Sequence, residues 1–183
     1  VTKAGINSTG WTGDGSQLSN VGKVLQVVFN RSDAVTVYSG LSAHVITELN
    51  TTIVPISATS KILINYNICY EATANHTFKP LLNNSVITTA GEESFNSVAG
   101  QTNWSGIAPE AYDANVDSTT AYVSFQYFHT AGSTASRYYG LYYQSSTPAA
   151  TIFKLNRAYG GAATGQSNYE VGVSSVVIME INA

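Results

Sequence analysis

The chain reads as an all-β protein, an antiparallel β-sandwich of jelly-roll-like type, and three observations lead there. Apolar residues recur with the two-residue period of strands rather than the 3.6-residue period of helices. β-Branched residues and tyrosine (twelve of them) are plentiful, while stretches rich in Ala, Leu, Glu and Lys are absent. The strand-like runs are short and separated by polar turns, the pattern of a sandwich or jelly roll.

Residues 1–20 stand apart. Gly5, Gly10, Gly13 and Gly15 sit among Asn, Ser and Thr, with Trp11 the only large side chain. Gly13-Asp14-Gly15-Ser16 has the composition of a tight turn, so this segment is expected to be a linker or the end of a shaft, with the folded domain spanning 21–183. The first strand, 23–29, is apolar on both faces: Leu25, Val27 and Phe29 are expected on one, Val24 and Val28 on the other. In 61–71, Ile62, Ile64, Tyr66, Ile68 and Tyr70 alternate with Asn65, Asn67 and Glu71, so the first set should line a core. In 121–128, Val123, Phe125 and Tyr127 share a side. Tyr138, Tyr139, Leu141, Tyr142 and Tyr143 make 137–144 aromatic on both faces. The last strand, 169–181, sets Val171, Val173, Val177, Met179 and Ile181 on one face. Shorter strands are expected at 44–56, 76–82 and 151–155. Pro55, Pro80, Pro109 and Pro148 are expected near strand ends, where a missing N–H does least harm. The one long unpatterned stretch, 99–118, is a loop of the length that often carries function.

Composition narrows the function. At 183 residues the chain fits one domain. Only 10% of residues are charged, so Ser, Thr, Asn, Gln and Gly must supply solubility, a balance common in extracellular and virion proteins. Eight Lys and Arg against eleven Asp and Glu give no dense basic face, so nucleic acid is not an expected partner. Residues 1–20 hold no apolar stretch of a secretion signal, and no run approaches the ~20 apolar residues of a membrane helix, so no membrane insertion is expected. The lone Cys69 cannot form a disulfide within the chain; on the Asn65 and Asn67 face, it reads as an inert, buried or half-buried thiol.

The residues that carry reactions are missing as patterns. His44, His76 and His129 have no second His or Cys at a metal-ligand spacing; His44 and His129 fall in strands, and His76 flanks a turn. There is no G-x-S-x-G elbow, P-loop or G-x-G-x-x-G, and Gly160, Gly161 and Gly165 lack the strand–turn–helix setting of a phosphate cradle. Glu92, Glu93, Glu110, Asp113 and Asp117 read as solvated loop charge rather than a paired-acid glycosidase site. Asp14 alone cannot make a calcium loop. No catalytic residue, metal or cofactor is therefore expected, and the chain reads as a binding protein, not an enzyme.

Aromatic residues are the positive signal. Tyr138-Tyr139 and Tyr142-Tyr143 put one ring on each sheet face, so one of each pair is expected to face away from the core. With Val24 and Val28, Tyr138 and Tyr142 are therefore expected at a subunit interface. Trp104, Tyr112 and Asp113, in the long loop, are the expected receptor contacts, because aromatic rings stack on sugars and an acid accepts sugar hydroxyls.

Three stretches together resemble the tip domain at the C-terminus of tail-fibre and appendage proteins of marine bacteriophages, cyanophages included. They are the turn into the first strand at 13–28 (GDGSQLSNVGKVLQVV), the proline turn and strand at 53–64 (IVPISATSKILI) and the final strand at 169–181 (YEVGVSSVVIMEI). The span 71–118 matches nothing in that family. The resemblance implies a trimeric sandwich at the end of a fibre, outside the cell on the virion. Its partners would be two further copies of itself, the rest of the fibre and a host-cell surface receptor, a glycan foremost. A structural knob without a receptor and a trimeric jelly-roll ligand domain are the alternatives.

Overall fold

The computed structural model describes residues 23–39, 43–86, 120–145, 152–158 and 170–183. Residues 1–20 and the loop 99–118, with Trp104, Tyr112 and Asp113, lie outside the described residues, as do the acids at 92, 93, 110, 113 and 117.

About two thirds of the described residues are strand, and the only helix among them is one short 3₁₀ turn. In order they form β1 (Val24–Ser32), β2 (Thr36–Ser39), β3 (Ala43–Val45), a 3₁₀ turn (Thr47–Leu49), β4 (Thr51–Ile53), β5 (Lys61–Ala72), β6 (His76–Leu82), β7 (Ser85–Val86), β8 (Ala121–Thr130), β9 (Arg137–Ser145), β10 (Ile152–Leu155) and β11 (Ser174–Ile181). Two antiparallel sheets face each other, so the expected sandwich is present. Sheet A has four columns: β8, then β5, then β11 continued by β10, then β1 continued by β2. Sheet B runs β7, β6, β9, with β3 and β4 end to end along the far edge of β9.

The core forms between the sheets as the period-two pattern requires. Ile62, Ile64, Tyr66, Ile68 and Tyr70 of β5 are all buried, as are Val123, Tyr127 and His129 of β8 and Tyr139, Leu141 and Tyr143 of β9. Among the described residues Tyr66, Tyr70, Tyr127, Tyr139 and Tyr143 are thus core residues, whereas Tyr122 is exposed. Phe78 lies at the centre, with the rings of Tyr70, His76, Phe125, Tyr143 and Phe153 at 5.5–6.2 Å. Four of these contacts are edge-on and the one with Phe125 is stacked, and edge-on and offset-stacked rings at such distances are the favoured aromatic geometries. All three histidines are buried, and His76, expected merely to flank a turn, is an inside residue of β6. Its Nδ1 donates to the Ala74 carbonyl at 2.9 Å, which leaves Nε2 to accept from the Tyr70 hydroxyl at 3.0 Å.

Several expectations about faces are corrected. A register shift between Val24 and Gln26 inserts one residue into β1. Such a bulge reverses the sidedness beyond it, so Val24, Val27 and Phe29 share the outer face while Val28 packs against the core. In β11, Val177, Met179 and Ile181 share a face as expected, and it is the outer one, because the core takes Val176, Ile178 and the carboxylate Glu180. Val171 and Val173 precede β11 and are exposed. Pro80 sits within β6, not at its end. The bond from the Asn83 amide to the Tyr138 carbonyl, 2.7 Å, explains the exception. In that register the odd-numbered residues of β6 exchange bonds with β9, so Pro80 turns its nitrogen away. Asn83 and Asn84, at φ 51° and 66°, form the two-residue turn between β6 and β7, a conformation asparagine tolerates.

Candidate binding face

The sandwich leaves sheet A with an outer face whose layout follows from strand register. Each row crosses β1, β11, β5 and β8 in turn. The first is Val24, Ile181, Lys61 and Thr130; the second Val27, Met179, Leu63 and Phe128. The third is Phe29, Val177, Asn65 and Gln126; the fourth Arg31, Ser175, Asn67 and Ser124. The second row is apolar from edge to edge, the fourth polar throughout, and the third changes halfway. The flanks are the most open: Val27 is 56%, Phe29 61% and Phe128 49% exposed, whereas Met179, Leu63 and Val177 between them are half-buried.

The polar corner holds a shallow depression of about 440 Å³, lined by Asn65, Asn67, Ser124, Phe125, Gln126, Val177 and Met179. The Ser124 hydroxyl donates to the Asn67 side-chain oxygen. Asn65 and Gln126, opposite one another on β5 and β8, bond to nothing through their side chains among the described residues. Their amides each offer two donors and an acceptor to an incoming molecule. Of the sixteen positions in the four rows only Lys61 and Arg31 are charged, and both are engaged. Lys61 Nζ donates to Thr130 Oγ1 at 2.6 Å, and Arg31 pairs with Asp33 at 3.5 Å.

Beyond the fourth row the face is closed. Cys69 is fully buried there, as expected of an inert thiol, because residues 170–173 cross above it. A Cβ on Gly172 would fall onto Cys69 Sγ and the Tyr122 hydroxyl, so only glycine permits this approach. Asn156, at φ 62°, stitches the junction where β10 meets β11. Its Nδ2 donates to the Ser32 and Ala34 carbonyls at 3.0 and 2.9 Å, and its Oδ1 accepts from Ser174 Oγ at 2.6 Å.

Two carboxylates are spent on structure. Burial alone would raise the Glu180 carboxyl, but bonds from Gln26, from the Ile56 and Ser57 amides and from Ser60 outweigh it and hold it below the ordinary carboxylate range. They also pin the turn containing Pro55 to sheet A. Glu48, in the 3₁₀ turn, balances in the same way: burial pushes it up, and donors from Thr36, Tyr38 and Thr47 bring it lower. The Tyr38 hydroxyl, donating to Glu48 at 2.5 Å, is pushed up to about 12 by burial and by that carboxylate. Among the described residues no group of three or more His, Cys, Asp or Glu is placed to hold a metal ion.

The four expected interface residues do not share a surface. Val24 lies on the outer face of sheet A and Val28 faces inward, while Tyr138 and Tyr142 lie half-buried on the outer face of sheet B. Leu63 and Phe128 were not singled out by sequence, and Val177 and Met179 were placed on one face with Ile181 without being read as a surface; the signal was the parity of Leu63 with Asn65 and Asn67, and of Phe128 with Ser124 and Gln126, in regular strands. No family model matches the chain, and no curated protein matches it.

Proposed function

We propose that this chain is a virion attachment module, the tip of a bacteriophage tail fibre, which holds to a host-cell surface receptor and catalyses nothing. It works as a homotrimer outside the cell, joined to the rest of the fibre, with three-fold symmetry taken from the fibre resemblance. The observation that carries the reading is the polar corner of sheet A, where the unbonded amides of Asn65 and Gln126 stand beside exposed Phe128 on a rigid, nearly uncharged plane. Amides and hydroxyls next to a ring suit a neutral, hydroxyl-rich surface molecule such as a glycan. A second reading, a structural knob that binds no receptor, draws support from the apolar second row, which suits assembly better than reversible attachment.

The test is binding of labelled protein to a panel of bacterial cells and their isolated surface polysaccharides, with competition against infection. Binding to one host that blocks infection, lost in a folded Asn65→Ala/Gln126→Ala variant, is the expected result. Incorporation into particles with no cell binding would overturn attachment and leave the knob.

A further inference from the structure

We propose that the polar corner of sheet A selects an N-acetylated aminosugar, and that it grips the acetamido group rather than the hydroxyls. The assignment rests on the attachment reading and names the sugar that the reading leaves open. It begins with what the corner lacks. No charged side chain lines the depression among the described residues. The two charges of the four rows stand off from it. Lys61 is four residues from Asn65 along β5, about 14 Å, and Arg31 is two strands from Asn67, about 10 Å, and paired with Asp33. An acidic sugar would meet no cation in the depression, and the protonated amine of an unacetylated aminosugar would meet no carboxylate. The ligand is neutral.

What the corner holds is a pair of carboxamides. Asn65 and Gln126 are register partners on β5 and β8, their backbones about 5 Å apart, with side chains unbonded among the described residues. Two carboxamides side by side can serve both poles of one secondary amide, one donating to its carbonyl and the other accepting from its N–H. The surroundings decide between an amide and a hydroxyl. Val177, the partner of Asn65 on β11, and Met179 line the side away from Gln126, and both are half-buried. A hydroxyl pressed against them would lose water without gaining a partner, which is costly. A methyl there gains by leaving water. The acetamido group carries carbonyl, N–H and methyl in one unit, whereas plain and deoxy sugars offer only part of that set. The rest of the sugar has its own supports. Phe128, two residues beyond Gln126 and 49% exposed, suits the apolar face of the ring, and Asn67 with Ser124 suits its hydroxyls. A volume of about 440 Å³ is within the range of small-ligand sites.

The experiment is NMR titration of the isotope-labelled chain, run beside the cell-binding assay. The probes are methyl glycosides of N-acetylglucosamine, N-acetylgalactosamine, glucose, galactose and rhamnose. The side-chain amide signals of Asn65 and Gln126, assigned by their loss in Asn65→Ala and Gln126→Ala, should shift with the N-acetyl sugars. Saturation transfer from the protein should be strongest at the acetyl methyl. The N-acetyl sugars should bind about tenfold more tightly than the plain hexoses, the low end for one added apolar group. Val177→Thr keeps the shape of the wall but sets a hydroxyl where the methyl sits, and should erase most of that margin while melting as the parent does. An unchanged margin in that folded variant would overturn the assignment. Plain hexoses or rhamnose bound as tightly as the N-acetyl sugars would also overturn it, and would leave glycan attachment standing. Cell binding that needs Asn65 and Gln126, with no sugar of the panel bound, would overturn it and leave attachment to another receptor. N-acetyl sugars bound at the corner without cell binding would keep the assignment and overturn attachment. Binding of neither sugars nor cells would overturn both.

Discussion

Gln26 Nε2 donates to the Glu180 carboxylate at 2.6 Å across 154 residues of sequence, joining the first strand of sheet A to the last. The same carboxylate accepts the Ile56 amide at 2.8 Å and the Ser57 amide at 3.1 Å. Glu180→Gln turns a donor toward groups that need an acceptor, and is expected to cost about 2–3 kcal/mol, read by urea denaturation. The acid limb follows in sign. Because the folded carboxyl titrates below the ordinary value of 4.5, its contribution is complete above that value and is lost as pH falls through the lower folded one. The parent's stability should fall more steeply than the variant's below about pH 4.5.

His76 acts at higher pH. Burial holds its imidazole below the ordinary 6.5, outweighing the opposing bond to Ala74, so the unfolded chain takes up the proton first. Stability is fully present above that value and declines as pH falls from there toward the folded value. Melting temperatures at pH 7.5 and 5.5 should differ more for the parent than for His76→Gln. Equal differences would show that the fold does not read this proton.

Phe78→Ala removes the ring on which five others pack, and should destabilise by about 3–5 kcal/mol without changing the far-UV spectrum of the folded state. A loss under about 1 kcal/mol would mean that the aromatic core is far looser than close packing implies.

Gly172→Ala places a methyl against Cys69 Sγ and the Tyr122 hydroxyl. The covering segment must lift or Cys69 must shift, so thiol labelling of the folded protein, negligible in the parent, should become measurable. Unchanged labelling, with stability intact, would sink this account of why glycine stands there.

Sequence resolved the fold where the two-residue period was unbroken. Ile62 to Tyr70 in alternate steps could be placed without coordinates because one face of β5 is visibly more apolar, and the split of Tyr139 and Tyr143 from Tyr138 and Tyr142 follows from alternation alone. It failed where a single residue breaks the count. The bulge after Val24 leaves no compositional mark, yet it moves Val28 inward and Val24 outward beside Val27. In β11, both faces are apolar apart from Glu180, and hydrophobicity assigns a carboxylate to solvent; only Gln26 and the Pro55 turn, remote in sequence, explain its burial. The candidate face was illegible for a related reason. Its rows join residues from β1, β5, β8 and β11, and register between strands is a tertiary property.

The position of β11 between β1 and β5 has a consequence for synthesis. A ribosome makes β1 first and its only ladder partner among the described residues last, so sheet A cannot close until Ile181 has emerged. Pairing over so long a span is slow, and open strand edges are exposed meanwhile. Throughout that interval Val24, Val27 and Phe29 lie along an unpaired edge, which the final strand of a neighbouring nascent copy matches as well as the chain's own. Copies translated side by side on one messenger should therefore show strand exchange more often than copies refolded from dilute denaturant.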